Sequence, residues 1–241
     1  MRRLLCLTLA LCLAVSAALA SGGTLKRGSR GDEVRALQEI LRDLGFLDDA
    51  PDGIFGRNTE AAVKRWQAFR GSRQTGTMTE EALTVLDDTW RLVMDVATEA
   101  EADEDTLRGL WGDSCGFLEE GGRLSFGYCW RHYRQTGLAE LLTGNRPPEA
   151  MERRAAQRLT ALWLKDIPAL YKAWENSLKP SDRHIAREQR QIFEDSLARQ
   201  REEWQRDVTA SNPNAALVRE ALWLNEIGVG LCFDLHGAEG N

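Results

Sequence analysis

Histidine is scarce in this chain, and the three present, His132, His184 and His236, share no short spacing that would gather ligands around zinc. No local motif assembles a metallohydrolase site, and neither a metal nor a cofactor is expected. Long apolar runs are equally sparse: after the first twenty residues none is long enough, or free enough of charge, to span a bilayer. Cationic excess is missing too, since 37 Asp and Glu outweigh 31 Lys and Arg for a net charge of −6. Such a chain is a poor candidate for nucleic acid. Nor does it adhere nonspecifically to an anionic polymer, so binding of that kind has to be local and shape-based. Strand pairs that could be defended are also lacking. Helical spacing recurs through most of the chain, and the fold class expected is all-α.

What is present begins with a leader. Arg2 and Arg3, an apolar stretch from Leu4 to Val15 and small residues at Ala18-Leu19-Ala20 predict a secretory signal peptide over residues 1–20, cut after Ala20. A membrane anchor suits neither so short a stretch nor its Ser21-Gly22-Gly23 flank, and Leu11 before Cys12 does not fit a lipoprotein site. The expectation is a periplasmic or secreted protein with no membrane span after cleavage. Of the five cysteines, Cys115, Cys129 and Cys232 would remain. In an oxidising compartment Cys115 with Cys129 is the most economical bridge, because it closes a short Gly-rich loop. Pairing Cys232 with either would instead tie the C-terminus to that loop, and three thiols leave one over.

After the leader, Val34, Leu37, Ile40, Leu41 and Leu44 form an apolar stripe from Asp32 onward, which Gly45 ends. Asp52-Gly53 is a turn dipeptide, and Gly56 is a second expected positive-φ point, so Ile54 and Phe55 are held between them as a short apolar loop. A helix follows, with Asn58 or Thr59 as the expected cap and Ala62, Val63, Trp66 and Phe69 on one face. Thr77-Met78-Thr79-Glu80 reads as a capping box that opens a third helix through Leu83 and Leu86.

These residues spell a family pattern. Leu25-Lys26-Arg27-Gly28-Ser29-Arg30-Gly31, Val34, Leu37-Gln38, Leu41, Leu44-Gly45-Phe46, Asp52-Gly53-Ile54-Phe55-Gly56, Thr59, Ala62-Val63, Trp66-Gln67 and Gly76 resemble the peptidoglycan-binding domain-like family, a three-helix cell-wall module. The chain departs from that pattern at Trp66, where the family usually has Phe, and at Gly71 to Gly76, where it usually has a glycine-leucine pair before a further glycine turn. The resemblance implies a three-helix module at residues 24–88 with peptidoglycan as partner, and Asp52, Gly53, Phe55, Gly56, Thr59 and Trp66 as candidate contacts. On the residues alone, Asp52 could instead brace its own turn, and Phe55 and Trp66 could be core rather than sugar platforms.

The acidic run Glu99 to Asp105 marks a boundary, so residues 89–105 read as a linker or as a solvated helix continuing from Trp90, Leu92, Val93 and Val96. Residues 106–241 read as a larger helical domain with the presumed disulfide loop. There Leu159, Leu162, Trp163, Ile167, Leu170, Tyr171 and Trp174 keep helical spacing across Pro168, which must kink one helix or start a second near Asp166. A further helix carries Ile185, Ile192 and Leu197 to Trp204, and Asn212-Pro213 reads as the cap and first turn of a last one. Most tryptophans fall in these stripes and read as core; Trp111 and Trp130, beside the disulfide loop, are the exceptions.

Modules of the resembled family commonly accompany enzymes that cut or cross-link peptidoglycan, so the second domain invites a catalytic search. Cys115 lies in Asp-Ser-Cys-Gly-Phe with no β-rich pattern around it, unlike a wall transpeptidase. Glu119 or Glu120, beside Leu118 and Gly121-Gly122, could serve as the protonated acid of a lytic transglycosylase or muramidase, although no second acid follows. Tyr171, Leu178, Pro180, Asp182, Arg187, Gln189, Arg190 and Phe193 are distantly similar to the helical family that includes bacterial lysozyme inhibitors, without that family's cysteine pattern. The leading expectation is an exported wall-binding protein that is not an enzyme, its helical domain engaging another envelope protein.

Overall fold

The structure is a computed structural model and describes residues 23–94 and 126–239. The leader, the acidic run, Trp111, Cys115, Glu119 and Glu120 lie outside the described residues, as do the side chains of Cys129, Trp130, His132 and His236. Among the described residues the chain is all-α. Seven α-helices follow one another: α1 (Asp32–Asp43), α2 (Arg57–Phe69), α3 (Glu80–Met94), α4 (Phe126–Thr143), α5 (Glu149–Ser177), α6 (Arg183–Trp204) and α7 (Ala215–Glu239), with a 3-10 turn at Gln205–Asp207. The chain divides into two compact units. Residues 23–94 gather with 143–154, and 126–142 gather with 155–239.

In the first unit the α1 stripe of Val34, Leu37, Ile40, Leu41 and Leu44 is fully enclosed, together with Ala62, Val63 and Trp66 of α2 and Leu83 and Leu86 of α3. Each such side chain contributes about 1.5–3 kcal/mol on burial, so this stripe sets where the helices lie. The Phe46 ring meets Trp66 and Phe69 with centroids 5.5 and 5.7 Å away. Gly45 ends α1 as expected: its N–H reaches Arg42 O at 2.9 Å and the Phe46 N–H reaches Leu41 O at 2.7 Å, which satisfies two carbonyls left open by the helix end.

α1 begins at Asp32 as expected, while the caps of α2 and α3 differ from expectation. Glycines, Gly31 and Gly56, hold the N-cap positions of α1 and α2, without side-chain caps. Because α2 begins at Arg57, Asn58 and Thr59 lie inside it; Asn58 donates to Asp49 Oδ2 at 2.6 Å, and Thr59 turns into the core. Gly56 has φ −90°, an extended value, so no positive φ occurs there. At α3 the cap is Thr79, whose Oγ1 accepts the Ala82 N–H at 3.2 Å, rather than a box of Thr77 and Glu80.

Two segments extend this unit beyond residue 88. α3 runs on to Met94 with Trp90, Leu92 and Val93 buried, and the Trp90 indole donates to Asp43 Oδ2 at 3.1 Å. From residues 143–154, Asn145 Nδ2 donates to Phe69 O at 2.7 Å, at the α2 end where helix carbonyls lack partners.

In the second unit α5 is one helix despite Pro168, its buried residues including Leu159, Trp163, Ile167 and Tyr171. The buried stripe of α6 is Ala186, Phe193, Leu197 and Trp204, while Ile185 and Ile192 are exposed. One residue is about 100° of helix rotation, so the charged register turned the isoleucines outward and seated the aromatics. α7 opens at Ala215, two residues beyond Pro213, where the Asn214 carbonyl takes the Val218 N–H at 2.9 Å. Tyr171, Phe193, Trp223 and Trp204 form a continuous ring chain, the Phe193 and Trp223 planes stacked at 6°.

α5 and α7 meet closely at Trp163. Its indole N–H donates to Asn225 Oδ1 at 2.9 Å, and a Cβ placed on Gly228 would fall 2.1 Å from the ring. Only glycine leaves room there, and the hydrogen bond prevents the ring from swinging aside. Gly228→Ala is expected to lower the stability of this unit by about 1–3 kcal/mol in denaturant unfolding. Gly230→Ala, with no atom within 4 Å of its Cβ, is expected to be neutral or stabilising.

Candidate functional site

Gln38 stands in the apolar stripe of α1, four residues after Val34 and three before Leu41, yet it is polar and buried. Its amide organises the loop before α2. Oε1 accepts the N–H of Gly53 at 2.8 Å and of Asp52 at 3.0 Å. Nε2 donates to Asp52 Oδ1 at 2.8 Å, Thr59 Oγ1 at 3.0 Å and Ile54 O at 3.1 Å. Gln67 of α2 repeats the device: Oε1 takes the Gly76 N–H at 2.9 Å, and Nε2 reaches Thr77 O at 2.9 Å and Thr75 Oγ1 at 3.0 Å. Both turns would otherwise enclose unpaired backbone groups.

The segment before α1 runs along the first loop. Gly31 N–H bonds Gly53 O at 3.0 Å, Phe55 N–H bonds Ser29 O at 2.9 Å and Gly28 N–H bonds Phe55 O at 3.0 Å. Gly53 has φ +73°, and a Cβ there would stand 3.1 Å from Gly31 O, so both conformation and space call for glycine. The loop is thus tied on two sides, by Gln38 from α1 and by the backbone of residues 28–31.

Of the six residues proposed as contacts, these ties place Asp52 at the surface, Gly56 half-buried and Gly53 buried. Phe55, Trp66 and Thr59 are 1%, 2% and 3% exposed. Direct ligand contact by these three side chains does not fit such burial; Thr59 accepts from the Gln38 amide that braces the loop, and Trp66 packs against Phe46 and Phe69. Asp52 braces its own turn, its Oδ1 accepting the Ile54 N–H at 2.8 Å. The Gln38 amide and the Ile54 N–H hold its carboxyl below the usual aspartate range. The loop presents Ile54, 39% exposed, with Arg30 and Arg57. Gln38 and Gln67 stand in the family pattern of the sequence but are not among its candidate contacts; a glutamine on an apolar stripe, directly after Leu37 or Trp66, is the signal that marks them as braces.

Among the described residues no group of His, Cys, Asp and Glu could hold a metal ion, and no helix is long and apolar enough to cross a membrane. His184 is exposed, its Nδ1 2.8 Å from Ser181 O, and Cys232 is buried. A carboxyl with shifted acidity does occur on α3, away from the loop in sequence. Burial, reinforced by neighbouring Asp87 and opposed by Arg91, raises Asp88 to about 6.

The family comparison falls inside the first unit, on its three helices, and stops short of the end of α3 and of residues 143–154. Residues 30–86 match the peptidoglycan binding domain family. The peptidoglycan-binding module so defined contains α1, the Gln38-braced loop, α2, the Gln67-braced turn and the first half of α3. The chain is also 46% identical over 83 residues to the chloroplast protein disulfide isomerase pTAC5 of Arabidopsis thaliana. That match covers 33% of this chain and 20% of the relative, so the chain spans about a fifth of the relative's length. No solved structure matches significantly.

Removing the Gln38 amide strands the buried Gly53 N–H and takes a donor from the Thr59 oxygen. Gln38→Ala is expected to destabilise the module by about 2–4 kcal/mol, with accelerated amide exchange at Gly53. Asp88 gives the second expectation. Its folded pKa of about 6 exceeds the ordinary 3.8, so its stabilising contribution is present below about pH 4 and is lost as pH rises through 6. Asp88→Asn should therefore stabilise the module at pH 7 by about 1 kcal/mol after solvent screening, read as a higher melting temperature, and leave it unchanged near pH 4.

Proposed function

We propose that this chain is an exported, non-catalytic peptidoglycan-binding protein of a bacterial envelope, with a second helical unit that engages another envelope protein. The observation that carries the reading is the rigid, Gln38-braced loop inside a module that matches the peptidoglycan binding domain family. Support for export comes from the leader pattern of residues 1–20, and with it comes a Cys115–Cys129 bridge. Support for a protein-binding role in the second unit comes from Ile185 and Ile192, exposed one heptad apart on α6.

Sedimentation with purified sacculi tests the wall-binding half. The full chain is expected in the pellet at low and moderate salt; a chain left in the supernatant under both conditions refutes it. Muropeptide release tests the non-catalytic half. No release is expected, and release abolished by Glu119→Gln or Glu120→Gln would make the chain an enzyme of the transglycosylase or muramidase type.

A further inference from the structure

Resting on the wall-binding reading, we infer that the module recognises the carboxylates of the peptidoglycan stem peptide rather than its sugar chain, through Arg30, Arg35 and Arg57 on the segments that flank Ile54. Arg30 and Ile54 are directly paired in an antiparallel bridge, which sets their side chains next to each other on one side of the pair. Arg35, on the first turns of α1, brings its Nη2 to 3.7 Å from where a Gly53 Cβ would stand. Arg57 opens α2, three residues after Ile54. All three arginines are exposed, and none has a carboxylate within ion-pair distance among the described residues.

The acids of the same surface are already engaged. Asp52 accepts from Gln38 and from the Ile54 N–H, and feels the Arg35 charge only at longer range. Asp49 accepts from Asn58. Asp32 and Glu33 occupy the first turn of α1, where the helix terminus favours negative charge. Glu60 pairs with Lys64 at 2.6 Å and feels the Arg57 charge only at longer range. What remains without an ion-pair partner is three guanidinium groups carried by the segments that flank Ile54.

That pattern fits a peptide better than a sugar. A glycan face is met by an exposed aromatic ring, and the two rings among the candidate contacts, Phe55 and Trp66, are buried. A stem peptide carries free carboxylates suited to the guanidinium fork and alanine methyl groups suited to Ile54. In a chain of net charge −6, a local cluster of this kind also distinguishes specific capture from nonspecific adhesion.

The test is competition for sacculi free of teichoic acid, using the full chain and two soluble probes, the free stem tetrapeptide and a neutral N-acetylglucosamine tetramer. The tetrapeptide is expected to release the bound chain and the neutral oligosaccharide to leave it in place. Arg30→Gln combined with Arg57→Gln should weaken binding to sacculi about tenfold at unchanged melting temperature. Release by the neutral oligosaccharide instead of the tetrapeptide, or full affinity in the double variant, overturns the inference while wall binding stands. A wild-type chain that fails to sediment with sacculi at all removes the wall-binding reading and this inference with it.

Discussion

The arrangement of the peptidoglycan-binding module depends on one buried amide. Gln38 occupies a position where the helix period calls for a leucine, and the energetic reason lies at the other end of its hydrogen bonds. A turn as tight as Asp52-Gly53-Ile54 cannot pair its own N–H and C=O groups, and an enclosed, unpaired group costs about 1–3 kcal/mol. One side chain with both donor and acceptor meets that requirement from a rigid helix. Its satisfaction holds Ile54 outward and Phe55 inward, and so decides which part of the loop a ligand can meet.

Gln67 applies the same solution to the turn before α3. The two helices that build the core therefore also carry the braces for the two turns, which couples hydrophobic packing to loop geometry. A shift of α1 against α2 would disturb the Val34 to Leu44 stripe and break the Gln38 bonds together. The second unit relies on a different constraint: the missing Cβ of Gly228 lets α7 close on the Trp163 ring, and Asn225 keeps that ring in place.

Much of this was legible in the chain itself. Helical periodicity located the stripes of α1 and α2, and Gly45 was recognisable as a helix stop because its function is local. Capping was less legible. Asn58 and Thr59 are good cap residues by type, but a glycine N-cap leaves no side-chain signature, and the start of α2 was set by the hydrogen bonds of the preceding loop. In α6 the apolar residues Ile185, Ile192 and Phe193 admit two neighbouring registers, and the register that buries the aromatics is chosen by what packs against it.

For the candidate site the division is sharper. Sequence alone determined the fold class, the family of the N-terminal module and the segment that forms its loop, because periodicity, turn chemistry and motif spacing are properties of neighbouring residues. Tertiary structure decided which residues of that segment face outward. Asp52, Phe55, Thr59 and Trp66 look alike as candidates along the chain. Burial separates them, and burial follows from contacts between α1 and a loop fourteen residues away in sequence, held by Gln38. The arginines of this surface were hidden for the same reason: Arg30, Arg35 and Arg57 come from separate elements, and only folding pairs Arg30 with Ile54 and brings Arg35 beside Gly53.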